Sequence, residues 1–188
     1  MRLEITPNFI TPDECALLNA WVYTGVANKW LDNGVSANLK LINKRLTSRL
    51  YGHRFNYPKE VIDLSTKIRH FTGVDNYSII EGHGKDGVVV SYTKPGGDVY
   101  KHKDPKNLMG YSALRCNIMT QAADDGGELF VDGNKINIKS GDLHCYLASD
   151  FEHYVTEVKG NVPRILWMFG AYVPKDGWES GEIKYGIS

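Results

Sequence analysis

Residues 98–107 read DVYKHKDPKN. If this stretch is a strand, alternate side chains share a face, so His102 and Asp104 point the same way and can meet one ion. If it is a turn, the two are an ordinary polar pair, since a short motif alone carries little information. What surrounds the stretch has to decide between these readings.

From Gly73 onward the chain is a series of short runs rich in Val, Ile, Leu and Tyr: IIEG, GVVVSY, LRCNIM, GELFV, KINI, DLHCYL and RILWMFGAYV, separated by Gly, Asp, Asn and Pro. Such punctuation predicts an antiparallel sandwich or barrel. Asp132-Gly133, between Leu129/Val131 and Ile136/Ile138, predicts a tight hairpin. Ser140-Gly141 then turns the chain into DLHCYL. The first 73 residues read instead as mainly helical. Thr11-Pro12-Asp13-Glu14 supplies an N-cap, a proline at the first helical position and a glutamate three residues after the cap. The apolar residues Leu17, Leu18, Trp21 and Val22 follow. A second helix is expected from Pro58, with Val61, Leu64, Ile68 and Phe71 on one stripe and Gly73 as its stop. The final PKDGWESGEIKYGIS is expected to be peripheral.

At 188 residues the chain is expected to form one domain, helical over about 1–73 and β-rich over about 74–173. With 22 Lys and Arg against 22 Asp and Glu, no overall basic field draws it to nucleic acid or an anionic membrane. Cys15, Cys116 and Cys145 are odd in number and widely spaced, which suits reduced thiols in the core rather than a disulfide framework. MRLEITPNFI lacks the apolar stretch of a signal peptide, and no run reaches the ~20 apolar residues of a membrane helix. A soluble, cytoplasmic protein with no membrane partner is expected.

A facial metal site of two histidines and one carboxylate needs a third ligand after His102 and Asp104. The candidate is His153, at the head of a strand after DLHCYLASD. Arg164 opens the otherwise apolar RILWMF, where a buried cation calls for an anionic partner. A bound dicarboxylate would supply one through a charge-assisted contact. His144 is the rival ligand, beside Cys145, but no closed set of four ligands at zinc spacing accompanies it, so it reads as a strand histidine with a hydrogen-bond partner. His53, His70 and His83 show no partner pattern and read as surface residues. Arg115 reads as the partner of a nearby acid.

In this order the pieces resemble the Fe(II)- and 2-oxoglutarate-dependent dioxygenases, especially the prolyl 4-hydroxylase-like branch. The likeness runs from about Val88 to Tyr172, and FITPDECALLNAW is similar to the family's leading helix. Tyr92-Thr93-Lys94-Pro95-Gly96-Gly97 stands where the family has a tyrosine and a glycine turn, and His102 and Asp104 match its HxD. Leu114-Arg115 through Gly126-Gly127-Glu128-Leu129 resembles its arginine-led strand and GGE, and Lys139-Ser140-Gly141-Asp142-Leu143 its turn before the distal strand. His153 and Arg164 match the distal ligand and the basic residue that binds the far carboxylate of 2-oxoglutarate.

The resemblance implies an α+β chain whose core is a double-stranded β-helix, a cupin-like jelly-roll, with N-terminal helices packed on one sheet. It implies Fe(II) on His102, Asp104 and His153, with 2-oxoglutarate and O2 as cosubstrates and ascorbate as a reductant. Arg164 would hold 2-oxoglutarate, helped by the Tyr92 hydroxyl, and Asn117, on the strand face of Arg115, would reach the cosubstrate too. The implied reaction is hydroxylation of an unactivated C–H bond coupled to decarboxylation of 2-oxoglutarate to succinate and CO2. Asp104 fills the carboxylate position, so hydroxylation is expected over halogenation. One departure stands out: where prolyl hydroxylases often carry a tyrosine three residues before the first histidine, this chain has Val99, with its tyrosine at Tyr100.

The substrate stays open among a peptide or protein side chain, a free amino acid and a nucleobase. NKRLTSRLYGHRFNYP, with Arg45, Arg49 and Arg54 among Tyr51, Phe55 and Tyr57, could stack on bases or simply pack. A non-catalytic jelly-roll module that binds a carbohydrate or carboxylate, and a cupin-like metal-dependent hydrolase or isomerase, are the competing classes; neither requires Arg164. Trp30 to Leu41 and the loop around His83 are the candidate pocket covers.

Overall fold

The Thr11 capping box forms as its residues dictate. In the computed structural model the Thr11 hydroxyl accepts from Glu14 N at 3.2 Å, and Thr11 N donates to the Glu14 carboxylate at 2.7 Å. This starts helix α1, Pro12–Ala27. Residues 2–28, 31, 58–74, 88–105 and 110–183 are described, with the backbone of 45–49. Of the apolar residues that follow the cap, Leu18 and Val22 are buried and Trp21 packs on Trp167 with ring centroids 5.6 Å apart, whereas Leu17 lies on the outer face. Helix α2, Lys59–Thr72, buries Val61, Leu64 and Ile68 and stops at Gly73.

Two antiparallel sheets follow. The larger contains β1 (Glu4–Thr6), β2 (Arg45–Arg49), β3 (Val88–Thr93), β5 (Tyr111–Gln121), β8 (Leu143–Leu147) and β10 (Arg164–Pro174), in the order β1-β8-β5-β10-β3-β2. The smaller contains β4 (Val99–His102), β6 (Leu129–Val131), β7 (Asn134–Ile136) and β9 (His153–Val155), in the order β4-β9-β6-β7. The hairpin at Asp132-Gly133 joins β6 to β7, both turn residues having positive φ (49° and 77°), as a tight turn matching strand twist requires.

Besides α1 and α2, the first 73 residues supply β1 and β2, which close the two edges of the larger sheet. One expectation is corrected. The C-terminal segment is not peripheral: Trp178, on α3 (Lys175–Ser180), is fully buried, and the Arg2 guanidinium lies 4.3 Å from its ring and donates to its carbonyl at 2.6 Å. A tryptophan withdrawn from water contributes more to folding than a loose tail can.

One face of the larger sheet carries Val88, Val90, Leu114, Cys116, Ile118, Leu143, Cys145, Leu147, Ile165 and Trp167, in one apolar cluster with α1 and α2. On the other face, Tyr146 and Ala148 meet Val99, Leu129, Val131, Ile136 and Val155 of the smaller sheet. All three cysteines are buried and free, and no helix among the described residues is long and apolar enough to cross a membrane. IIEG, His53, His83 and, apart from Leu31, the candidate covers lie outside the described residues.

Candidate metal centre

β4 pairs with β9 so that His102 stands directly opposite His153, their ring centroids 4.4 Å apart. Each ring is fixed by its own chain. His102 Nδ1 lies 2.7 Å from the Tyr100 carbonyl, and His153 Nδ1 lies 3.1 Å from that of Phe151. An imidazole donating from Nδ1 to a carbonyl presents a bare Nε2, the form that ligates metals. Asp104 follows β4 and is anchored by its backbone N–H on the Ala148 carbonyl at 2.9 Å. Its Oδ1 lies 3.5 Å from His102 Nε2 and 4.0 Å from His153 Nε2. All three ligand atoms fall within 4.8 Å of one another, and among the described residues no other group of His, Cys, Asp and Glu does so. Ligand bonds of about 2.0–2.2 Å to a divalent ion match a cluster of this size after a small contraction.

The other carboxylate oxygen, Oδ2, accepts from Arg115 Nε at 2.6 Å and lies 2.5 Å from Arg115 Nη2. Burial alone would raise the Asp104 pKa, but the His102 hydrogen bond and the Arg115 charge, with His153 behind them, hold it well below the usual carboxylate range. Burial, then the neighbouring His102, pushes His153 down to about 4. At neutral pH both groups are therefore in their ligating forms.

From this cluster a polar strip runs along the inner face of the larger sheet. The Tyr146 ring meets His153 edge-on at 5.4 Å and lies parallel to His144 at 6.2 Å. Asn117 Nδ2 lies 3.2 Å from His144 Nε2. His144 is fully buried, and its pKa is pushed down to about 3 by burial and then by the Arg164 charge. It is thus neutral, and with Nε2 accepting from Asn117 its proton sits on Nδ1. That Nδ1 and Asn117 Oδ1 are buried without a hydrogen-bond partner. Burial also raises the Tyr146 hydroxyl, with the Asp104 charge adding to it. Arg164 itself is only 2% exposed at the start of β10, opposite Thr93. The buried Arg164 guanidinium and the orphaned polar atoms of Asn117 and His144, all on the inner face of the larger sheet, fit a polar ligand lying along the strip.

The sequence expectations fare unevenly here. His102, Asp104 and His153 come together, and Asn117 shares the inner face with His144. Tyr92 does not join them. It lies on the helix side of β3 with Val88 and Val90, its ring 5.9 Å from that of Tyr23 on α1 and edge-on to it. Strand alternation leaves the inner positions of β3 to Val89, Ser91 and Thr93, so the expected cosubstrate role of Tyr92 is withdrawn. Cys145 faces the helices and His144 the interior, so the two cannot share a zinc ion. Tyr146 is an interior residue that no motif announces, and the acid with which Arg115 pairs is Asp104 of the His-Asp-His cluster. The alternation of Leu143, Cys145 and Leu147 with His144 and Tyr146 was the available signal for Tyr146. Of the glycine pair, Gly126 is the constrained one: a Cβ there would stand 2.0 Å from the Glu157 carbonyl oxygen, so the loop can close only on glycine. Gly127 packs on the Arg164 side chain, where a Cβ would meet Arg164 Cδ at 3.3 Å.

No family model matches the sequence, and a search of curated proteins finds no match. Solved structures do match. A Pseudomonas putida prolyl-4-hydroxylase superposes with a TM-score of 0.66 at 14% identity, over 92% of each chain. A Trichoplax adhaerens prolyl hydroxylase, solved with a peptide fragment of the hypoxia inducible factor oxygen degradation domain, gives 0.65 at 18% identity over 89% of this chain and 83% of that one. A viral collagen prolyl hydroxylase from Paramecium Bursaria Chlorella virus-1, solved as a 2-oxoglutarate complex, gives 0.56 at 16% identity over 92% and 97%. The fold is that of the prolyl 4-hydroxylases. Its core is a double-stranded β-helix, and within this prolyl 4-hydroxylase fold both the His-Asp-His cluster and Arg164 border the space between the two sheets.

Proposed function

We propose that the protein is an Fe(II)- and 2-oxoglutarate-dependent hydroxylase. The observation that carries this reading is the pairing of a two-histidine, one-carboxylate cluster with a buried arginine in one interior. His102 Nε2, Asp104 Oδ1 and His153 Nε2 would hold the metal on one face. Arg164 would take the distal carboxylate of 2-oxoglutarate in a charge-assisted contact. His144 Nδ1–H and Asn117 would orient the cosubstrate, and the apolar wall of Val99, Leu129, Val131 and Val155 would exclude water from it. Bound iron with 2-oxoglutarate and O2 supplies the oxidising chemistry, yielding succinate, CO2 and a hydroxylated C–H, with ascorbate as reductant for idle enzyme. The residues of the site orient and shield rather than exchange protons with the substrate.

The substrate is proposed to be a peptidyl side chain, proline first. The peptide-bound Trichoplax neighbour supports this, as does Tyr100, 51% exposed with its ring 4.8 Å from that of His102. Nucleobase oxidation has no specific support among the described residues, and neither does a non-catalytic or hydrolytic role. The test is succinate release from 2-oxoglutarate with Fe(II) and O2 in the presence of a library of proline-containing peptides, read alongside peptide mass. Succinate that requires iron, and a peptide gaining one oxygen, are expected. No succinate from folded, iron-loaded protein would refute the proposal.

A further inference from the structure

Resting on the metal reading above, we infer that Arg115 is a positioning residue that keeps Asp104 a one-oxygen ligand. A carboxylate can bind a metal through one oxygen or both, and the choice fixes how many positions remain for exchangeable ligands. Here the two oxygens are already distinguished. Oδ1 is the one facing both imidazoles, at 3.5 and 4.0 Å. Oδ2 is turned to Arg115, whose Nε and Nη2 stand 2.6 and 2.5 Å away. A carboxylate oxygen has two lone pairs directed in its plane, and two N–H groups on Oδ2 occupy both. Arginine suits this task because its donors are held in a rigid plane and it stays charged at any working pH.

The contact is also well supported mechanically. Arg115 sits within β5, hydrogen-bonded in register with Tyr146 of β8 and Gly170 of β10, and its side chain is 12% exposed. Asp104 is tied separately through its backbone to Ala148. Both ends of the contact are thus carried on hydrogen-bonded backbone, which favours keeping Oδ2 on Arg115. Three protein ligands then leave three positions on a six-coordinate metal, two for a chelating keto acid and one more. A two-oxygen Asp104 would consume that last position.

The number of water molecules on a bound Mn(II) ion measures this without turnover, by pulsed EPR of the full chain in heavy water. Three waters are expected in the wild type and two in Arg115→Gln, while after 2-oxoglutarate is added one is expected in the wild type and none in the variant. Should Arg115→Gln fail to fold, Arg115→Lys retains the charge but fills only one lone pair, and two waters are again expected. Two waters in the wild type, or three in a folded variant, would overturn the role of Arg115 while leaving the metal site standing. Mn(II) binding equally to the wild type and His102→Ala would overturn the metal site itself, and this inference with it.

Discussion

On β5, β8 and β10 the side chains turned toward the helices are Leu114, Cys116, Ile118, Leu143, Cys145, Leu147, Ile165 and Trp167, whereas those turned inward include Arg115, Asn117, His144, Tyr146 and Arg164. Both sets are withdrawn from water. The first repays burial directly, at roughly 1.5–3 kcal/mol for each large side chain. The second costs desolvation that only partners can offset. One sheet thus holds a face that builds the fold and a face whose polarity makes sense only for what it binds.

Truncation should separate the two faces most sharply. Leu114→Ala, on the helix side, is expected to lower stability by about 2–5 kcal/mol in chemical denaturation, while folded protein keeps its 2-oxoglutarate affinity. Arg164→Met should act chiefly on binding: cosubstrate affinity by calorimetry weakens by about 2–5 kcal/mol, with a smaller loss of stability than in Leu114→Ala. A large loss of stability in Arg164→Met would blur the division.

Acid should reveal the polar face in the metal-free protein. His144 has a folded pKa of about 3 and His153 of about 4, both lowered from 6.5 first by burial. The unfolded chain therefore binds more protons between these values and 6.5. The stability from keeping them neutral is complete above pH 6.5 and drains away as pH falls, by at most about 1.4 kcal/mol per pH unit per histidine. Urea midpoints measured from pH 7 to pH 4 should fall more steeply in the wild type than in His144→Gln; parallel slopes would contradict the burial argument. Smallest of all, Tyr92→Phe should leave cosubstrate affinity unchanged and shift stability by less than about 0.5 kcal/mol, since Tyr92 packs on Tyr23 away from the strip.

Much of this division was legible in the residues themselves. The Asp132-Gly133 turn sets the β6–β7 hairpin and the Thr11–Glu14 box sets α1; His102 and Asp104 do meet in one cluster, although β4 ends at His102 and Asp104 lies just beyond it. Tyr92 misled because VVVSY is buried on both sides, so the run gives no polar phase to say which side faces the helices. β1 and β2 escaped because strands of three and five residues at sheet edges are defined by the partner they pair with, not by their own pattern. Nothing periodic in the sequence announces a six-residue helix around Trp178, and the tryptophan itself is the one sign of burial there.

The most direct test is an anaerobic titration of the apoprotein with Fe(II) and then 2-oxoglutarate, following the visible charge-transfer band of a chelated keto acid, with Asp104→Ala and Arg164→Ala as controls. The account predicts a band in the wild type that weakens in both variants. Folded protein that binds Fe(II) yet shows no band would contradict it, leaving a metal site without this cosubstrate.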